Sequence, residues 1–332
     1  MLELRKAALA LLPVALAPFP TEAQQVAPVS KPQVLQEVVV TATRVEEDSF
    51  DLPVSIDRVD RGVIREDKPQ VNLSEALNRV PGISVLNRQN YAQDLQISSR
   101  GFGARATFGV RGLRLIADGI PATMPDGQGQ AATFNLNSAE SIEVMRGPFS
   151  SLYGNAAGGV IQVFTADGPP EPTLSGGFYA GSYNTWKVST QFGGTSGRLN
   201  TIGDISRFQT DGYRDHSWAR RDQLNAKAKI NAGDGGVITL VVNALDQPET
   251  QDPLGLTAAQ VAQNPQQAGN NAIAFNTRKS ISQAQLGLTY GLDVTRSDRL
   301  EARVYGGDRQ ITQYLAHGGI MQYVLRTLLA AA

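Results

Sequence analysis

The second half of the chain contains segments in which apolar and polar residues alternate one by one. The clearest lie at residues 186–192 (WKVSTQF), 224–230 (LNAKAKI) and 284–290 (AQLGLTY). On a β-strand, this period of two gives one apolar and one polar face. Strands of about ten residues with this pattern are typical of transmembrane barrels, whose apolar face meets lipid and whose polar face lines a lumen. A soluble antiparallel sheet also alternates, so the pattern alone allows both.

The connections between these segments alternate in length. GTSGR, AGDGG and DVTRSD are tight turns, whereas TDGYRDHSWARRD and the segment 247–279 are long loops. Long structureless loops are rare in compact soluble domains, but outer-membrane barrels carry short turns at one end and long loops at the other. Weaker alternating segments lie at 173–180, 199–210, 236–247 and 298–311. Together the segments predict about seven antiparallel transmembrane strands, an incomplete β-barrel, over residues 172–315.

Residues 53–166 have a mixed pattern that predicts a small α+β domain. SEALNRVPG predicts a helix that ends at Pro81-Gly82, and LQISSRG, LRLIADGIP and SIEVMRG predict short strands. The stretch GFGARA at 101–106 has the spacing of a dinucleotide-binding turn. That turn needs a helix after it, and the residues that follow are strand-like. The glycines are therefore expected to serve packing.

The first 52 residues predict export and a tether. In residues 1–23, Arg5 and Lys6 precede an apolar run, and TEA resembles the cleavage site of a signal peptide. The run contains prolines and is too short to span a bilayer as a helix. Residues 24–52 form a polar tether with the strand-prone segment EVVVTATR. This strand is expected either to find a partner outside the domain or to be the first strand of the domain.

The composition of the chain disfavours several classes of functional site. Its 332 residues carry a formal net charge of −1, no cysteine, two histidines and four methionines. Basic residues are neither in excess nor clustered, which argues against nucleic-acid binding. A site for bare copper or zinc is poorly supplied with ligands. The chain has no G-x-S-x-G, H-E-x-x-H or P-loop motif, so we expect no enzyme, no catalytic residue, no resident metal and no cofactor.

Several motifs together resemble one family. SEALNRVPGISV, ISSRGFG, LRLIADGIP and IEVMRGPFSSLYGNAAGGVIQV, in this order, resemble the plug domain of TonB-dependent outer-membrane receptors. EVVVTATR is similar to the TonB box that precedes the plug. The resemblance extends from residue 37 to about residue 315. It implies an α+β plug inside an antiparallel barrel of about 22 strands, of which this chain has about seven.

The resemblance also implies roles for individual residues. A tethered strand can add itself to the sheet edge of a partner, which would here be TonB with its inner-membrane energising complex. The residues expected to bind TonB are Glu37, Val38, Val39, Val40, Thr41, Ala42 and Thr43. Those expected to contact the ligand, at the plug apices, are Arg88, Tyr91, Arg105, Thr107, Phe108, Asp126 and Gln128. Arg100, Glu143 and Arg146 are expected to contact the barrel wall, although a local surface pair would explain Glu143 and Arg146 equally.

The expected function is active uptake of a scarce nutrient across the Gram-negative outer membrane. A ferric siderophore or another iron chelate is the first expectation, because arginine and tyrosine suit an anionic, partly aromatic ligand. The alternatives are cobalamin or another non-iron ligand, and a binding or adhesion protein that does not transport. The expected partners are TonB, outer-membrane lipid and the metal chelate.

The end of the chain departs from the family pattern. Residues 316–332 lose the alternation and form an atypical tail, as expected of a truncated or frameshifted product. Seven strands leave two open edges, whose unpaired backbone groups hydrocarbon does not tolerate.

We therefore predict that the 332-residue chain alone does not form a working barrel. Folding into liposomes, followed by heat-modifiability gels and protease digestion, tests this. The expected result is no heat-modifiable band and complete digestion, and a protease-resistant, heat-modifiable species would contradict it.

Overall fold

The structure of the protein is a computed structural model that describes residues 39–40, 47–48, 54–87, 89–106, 108–295, 298–317 and 320–331. The expected signal peptide, residues 1–23, lies outside them. The first described elements are two short strands, β1 (Val39–Val40) and β2 (Glu47–Asp48). They pair antiparallel, with Val39 opposite Asp48. The strand-prone segment thus pairs in part with a strand of its own tether.

Residues 55–165 form the expected α+β domain, which we call the plug. Its elements are β3 (Ser55–Asp60), α1 (Arg61–Arg65), α2 (Ser74–Leu77), β4 (Ile83–Leu86), β5 (Gln96–Ser99), β6 (Arg114–Ala117), β7 (Ile120–Pro121), a 3₁₀ turn (Ala131–Thr133), β8 (Ala139–Arg146), α3 (Ser150–Tyr153) and β9 (Gly159–Thr165). Five of the strands form a mixed sheet in the order β3-β8-β9-β6-β7, in which only β6 and β9 are parallel. β4 and β5 form a separate hairpin.

The plug has its own hydrophobic core. Leu77 of α2 packs with Leu115, Ile142 and Ile161 of the mixed sheet, and all four side chains are inaccessible to solvent. Helix α2 is only four residues long, and the carboxylate of Glu75 within it accepts the backbone N–H groups of residues 70–72. Glu75 thereby fixes the segment that leads into the helix and satisfies amides that no regular element uses.

The rest of the chain forms one antiparallel sheet, which we call the wall. Its strands are β10 (Thr173–Gly181), β11 (Thr185–Ser196), β12 (Leu199–Thr210), β13 (Ala219–Gly233), β14 (Gly236–Gln251), β15 (Arg278–Asp293), β16 (Arg299–Tyr314) and β17 (Ile320–Ala331). Each strand pairs with the next, and β10 and β17 are the edges among the described residues. The first seven strands confirm the expected set. The eighth, β17, occupies the segment expected to be an atypical tail.

The alternation places polar side chains against the plug and apolar side chains outside. On β13, Arg221, Gln223 and Asn225 are buried. On the outer face, Leu174 and Phe178 of β10 remain about three-quarters exposed, at 76% and 75%. This arrangement is the reverse of a soluble sheet, which buries its apolar face. It is the arrangement expected of strands whose outer face meets lipid.

The connections of the wall also follow the expected pattern. Short turns at 197–198 and 234–235 lie at one end, and the longer loops 211–218 and 252–277 lie at the other, together with the short turn at 182–184. The loop 252–277 has structure of its own, with helices α4 (Ala258–Gln263) and α5 (Asn270–Ala274). A capping box between Thr257 and Gln260 starts α4. In the described part of the chain, no helix is long and apolar enough to cross a membrane.

The glycine-rich stretch of the plug is a packed turn. Gly101 and Gly103 have positive φ, at +92° and +85°. A Cβ on Gly103 would lie 2.5 Å from the carbonyl oxygen of Ile97, whereas a Cβ on Gly101 would meet nothing within 4 Å. The chain continues from this turn into strand β6 and not into a helix, which confirms that the turn is not of the dinucleotide-binding kind.

We predict that Gly103→Ala destabilises the plug more than Gly101→Ala. Both changes place a side chain at positive φ, which costs about 1–2 kcal/mol, but only the alanine at 103 also forces backbone atoms apart. Chemical denaturation of the two variants measures the difference in free energy of unfolding. Equal losses would show that the backbone angle, and not the close approach to Ile97, makes glycine necessary there.

Candidate functional site

A cavity lies where the plug apices meet the long-loop end of the wall. Its volume is about 390 Å³, and we call it the vestibule. The residues that line it are Gln93, Gln96, Arg105, Ala106 and Phe108 of the plug and Asp252, Leu254, Thr277 and residues 313–317 of the wall and its loops. Arg105 is exposed, and Phe108 keeps 36% of its surface accessible. Arg278 stacks on Tyr314 beside them, with its guanidinium carbon 3.6 Å from the ring centroid.

Asp252 joins the plug to the long loop. Its carboxylate accepts hydrogen bonds from Asn90 Nδ2, at 2.7 Å, and from Gln93 Nε2 of the plug. It also accepts the backbone N–H of Leu254 at 3.0 Å. Asp252 is 4% exposed. The carboxylate in the lining is therefore buried and hydrogen-bonded by neutral groups, and Arg105 is the exposed charged side chain of the lining.

Arg214 and His216, in the loop 211–218, hold the loop 252–277 in place. The guanidinium of Arg214 donates to the backbone carbonyls of Pro253, at 3.1 Å, of Leu254 and of Gln267, at 2.9 Å. Desolvation lowers the pKa of Arg214 from its ordinary value. His216 Nε2 lies 2.8 Å from the carbonyl oxygen of Thr277. These bonds make the two external loops one structured unit.

The residues expected to contact the ligand do not all lie in the vestibule. Arg105 and Phe108 line it, and Arg88 and Thr107 lie outside the described residues. The Tyr91 ring packs against Phe208 of the wall, with ring centroids 4.9 Å apart. Burial raises the pKa of Tyr91 to about 12, so its hydroxyl stays protonated at physiological pH.

The other two expected ligand residues sit on the loop after β7. Asp126 is exposed and pairs with Arg111, with an N–O distance of 3.5 Å. Gln128 is only 7% exposed, and its side chain fills the space that a Cβ on Gly109 would need. The structure therefore separates Asp126 and Gln128 from the vestibule lining.

The three residues expected at the boundary between plug and barrel have contacts inside the plug. Arg146 pairs with Asp57 at 2.5 Å and donates to the carbonyl of Pro81 at 2.7 Å. Glu143 is 1% exposed, with Arg58 4.0 Å away. Arg100 is exposed, and its backbone N–H donates to Gly82. Glu143 and Arg146 therefore each lie beside a residue of strand β3, and their contact with the barrel wall stays a prediction.

The contacts between plug and wall come instead from polar side chains of the wall. Most of them donate hydrogen bonds to backbone carbonyls of plug residues between 69 and 165. The donors are Lys187, Arg221, Gln223, Lys227, Asn243, Gln247, Gln285, Arg303 and Arg309. Sequence reasoning did not single out these residues, although they lie on the polar face of the alternation. The polar face of the alternating strands was the feature of the sequence that could have identified them.

Ion pairs and buried amides add to this boundary. Lys279 pairs with Asp94 of the plug at 2.7 Å, and both side chains are largely buried. Asp204 is 1% exposed and accepts from Asn135 Nδ2, at 2.7 Å, and from Asn137 Nδ2, at 3.2 Å. Among the residues that the structure describes, no three His, Cys, Asp or Glu side chains lie together as a metal site.

Asp167 marks the point where the plug leads into the wall. It pairs with Lys227 and with Lys229, each at 2.7 Å. Burial favours a raised pKa for Asp167, but the hydrogen bonds and charges of the two lysines lower it below its ordinary value. The carboxylate is therefore ionised at neutral pH, and it ties the end of the plug to strand β13.

The contacts of the TonB-box segment are described only in part. Val39 and Val40 lie in β1, opposite β2. Glu37, Val38, Thr41, Ala42 and Thr43 lie outside the described residues.

We predict that Asp252→Ala uncouples the plug apex from the long loop. Hydrogen bonds to a charged group contribute about 1.5–3 kcal/mol each, so amide hydrogen exchange at residues 89–94 and 253–269 should accelerate about tenfold or more. Asp215→Ala is the matched control, since Asp215 is exposed in the neighbouring loop. Unchanged exchange in Asp252→Ala would show that the contact does not couple the two segments.

Comparison with known proteins shows which family and which solved structures this chain resembles. Residues 48–160 match the family described as TonB-dependent Receptor Plug Domain. The ferric citrate transporter FecA in its unliganded form has a similar structure, with a TM-score of 0.70 and 22% identity, over 83% of this chain and 44% of that chain.

Two further structures are similar to this one. The siderophore receptor PirA from Acinetobacter baumannii has a TM-score of 0.61 and 16% identity, over 82% of this chain and 43% of that chain. The copper transporter OprC has a TM-score of 0.57 and 16% identity, over 78% of this chain and 38% of that chain. The chain thus spans less than half the length of these proteins. Residues 48–160 therefore match the plug domain of TonB-dependent receptors, and the strands that follow have the fold of the barrel strands in the similar structures.

Proposed function

We propose that this chain provides the plug and the wall strands of a receptor for TonB-dependent uptake of an anionic iron chelate, such as a ferric siderophore, at the outer membrane. Receptors of this family lie in the outer membrane and interact with TonB. The observation that carries the ligand class is the vestibule, which combines exposed Arg105 with Phe108 and Tyr314. The carboxylate of Asp252 in its lining already accepts hydrogen bonds from the plug and from the loop. Guanidinium and aromatic groups together suit an anionic, oxygen-rich, partly aromatic ligand.

The similar structures agree with this class without deciding the ligand. FecA is named for ferric citrate and PirA for a siderophore, whereas OprC is named for copper. Cobalamin or another non-iron ligand is the alternative, as is a barrel that binds without transporting. The vestibule favours the chelate over bare copper because it offers guanidinium and aromatic groups, and because no three metal-ligating side chains lie together in the described residues.

The proposed handle for TonB is the segment 37–43. In the described residues, strand β1 within it pairs with β2 through Val39–Asp48 and Val40–Glu47. A strand that leaves such a pairing can add to the sheet edge of a partner through backbone hydrogen bonds. The export signal expected in residues 1–23 supports the outer-membrane location.

The first test is binding to the periplasmic domain of TonB. We predict that the full chain in detergent binds this domain, and that deletion of residues 37–43 reduces binding to background, because the strand that would be added is gone. A matched deletion of residues 24–30 in the tether should leave binding unchanged. Equal binding with and without residues 37–43 would support a barrel that is not driven by TonB.

The ligand class is tested in the same preparation with ferric citrate as the probe. Fluorescence quenching should report binding that weakens about tenfold in Arg105→Gln, since a charge-assisted hydrogen bond is lost. Arg198→Gln, in the short turn at the opposite end of the wall, is the charge-matched control. Stronger binding of cobalamin than of ferric citrate would overturn the iron-chelate assignment and leave the TonB interaction standing.

A further inference from the structure

A second cavity lies between the plug and strands β15 and β16. Its volume is about 140 Å³, and we call it the seam cavity. The residues that line it and matter here are Arg114, Thr123, Gln283, Gln285, Tyr305 and Arg309. No residue lines both this cavity and the vestibule. The seam cavity is therefore a separate space at the boundary between plug and wall.

Arg114 enters the seam cavity from strand β6 of the plug. Its side chain is half-buried, yet in the described part of the chain it has neither an ion pair nor a side-chain hydrogen bond. Desolvation lowers the pKa of Arg114 from its ordinary value, and the nearby Tyr305 opposes this shift in part. Buried charges in proteins are normally paired or hydrogen-bonded.

Arg309 lines the same cavity from strand β16 of the wall. It is 3% exposed. Its Nε donates to Gln283 Oε1 at 2.6 Å and its Nη2 to the carbonyl of Ala122 at 3.0 Å, so both acceptors are neutral. Asp308 also borders the cavity, but it is exposed. Neighbouring side chains on a strand point to opposite faces, so Asp308 lies on the face opposite to that of buried Arg309.

Two guanidinium groups therefore border one small cavity, which Pro121, Met124 and Pro125 also line. Neither guanidinium forms an ion pair in the described residues, and Asp126 and Asp94 act on Arg309 only from a longer distance. A guanidinium presents several N–H donors in a planar fork that matches carboxylate and phosphate oxygens. Gln285 and Tyr305 supply further polar groups in the lining. We propose that the seam cavity binds a small oxyanion, a phosphate or a carboxylate group, through Arg114 and Arg309.

This site does not depend on the uptake proposal, because the bound group need not belong to a transported ligand. Its position has a consequence for the boundary between plug and wall. Arg114 belongs to the plug and Arg309 to the wall, so an anion held by both would bridge them. Loss of the anion would leave two like charges facing one low-dielectric space, where their repulsion is strengthened.

The test is calorimetric titration of the full chain in detergent, with inorganic phosphate and, separately, with acetate, which distinguishes the two oxyanion classes. We expect binding of at least one of them, weakened about tenfold in Arg114→Gln and retained in Arg114→Lys. Arg299→Gln, an exposed arginine on the same wall, should bind as the unchanged chain does. No binding of either anion, or equal binding in Arg114→Gln, overturns the proposal.

Two further measurements distinguish the seam cavity from the vestibule and from the misfolding of a variant. If Arg105→Gln removes the binding and Arg114→Gln does not, the anion sits in the vestibule and the proposal fails. Arginine modification by phenylglyoxal, read site by site by mass spectrometry, needs no variant and so does not depend on a mutant folding. The anion that binds in the titration, phosphate or acetate, should protect Arg114 and not Arg299, and an Arg114 that neither anion protects overturns the proposal.

Discussion

The structure depends on hydrogen bonds from polar side chains of the wall to backbone carbonyls of the plug. Arg221 reaches Val71, Gln223 reaches Phe134, and Arg303 reaches Gly119. Inside the sheet these donors are largely buried, and a buried donor without a partner costs about 1–3 kcal/mol. The irregular plug segments likewise need partners for carbonyls that no strand or helix uses. Wall and plug therefore satisfy each other, and neither has a complete set of partners alone.

A boundary held by hydrogen bonds fixes the position of the plug, but water can replace the hydrogen-bond partners. Apolar contact across it is confined to small clusters, such as Ile120 with Val241 and Tyr305. Each hydrogen bond between neutral groups contributes a net of only about 0.5–1.5 kcal/mol, because water can replace the partner. A plug held in this way has a defined position, and yet hydrogen bonds to water can replace its bonds to the wall one at a time. A plug held by an extended apolar interface would need that whole surface exposed at once.

Charge is distributed unevenly along the same boundary. Asp94, Asp167 and Asp252 are each engaged by groups of another element, whereas Arg105 remains exposed and Arg114 unpaired in the described part of the chain. The three aspartates thus connect different elements of the fold, whereas the two arginines line cavities. The vestibule and the seam cavity share this electrostatic character although they share no residue, which is why both suit anions.

The sequence by itself determined the plug and seven of the eight described strands of the wall, because a period of two and short glycine turns are local features that report on one segment at a time. Only the tertiary structure decided which partners the charged residues have, and that residues 320–331 continue the sheet as β17. Arg146 pairs with Asp57 and Glu143 lies beside Arg58, both within the plug, and nothing in the alternation around Lys227 indicates its distant acceptor, Thr165. These contacts join residues far apart in the chain, so they follow from how the plug sits inside the sheet and not from any local pattern.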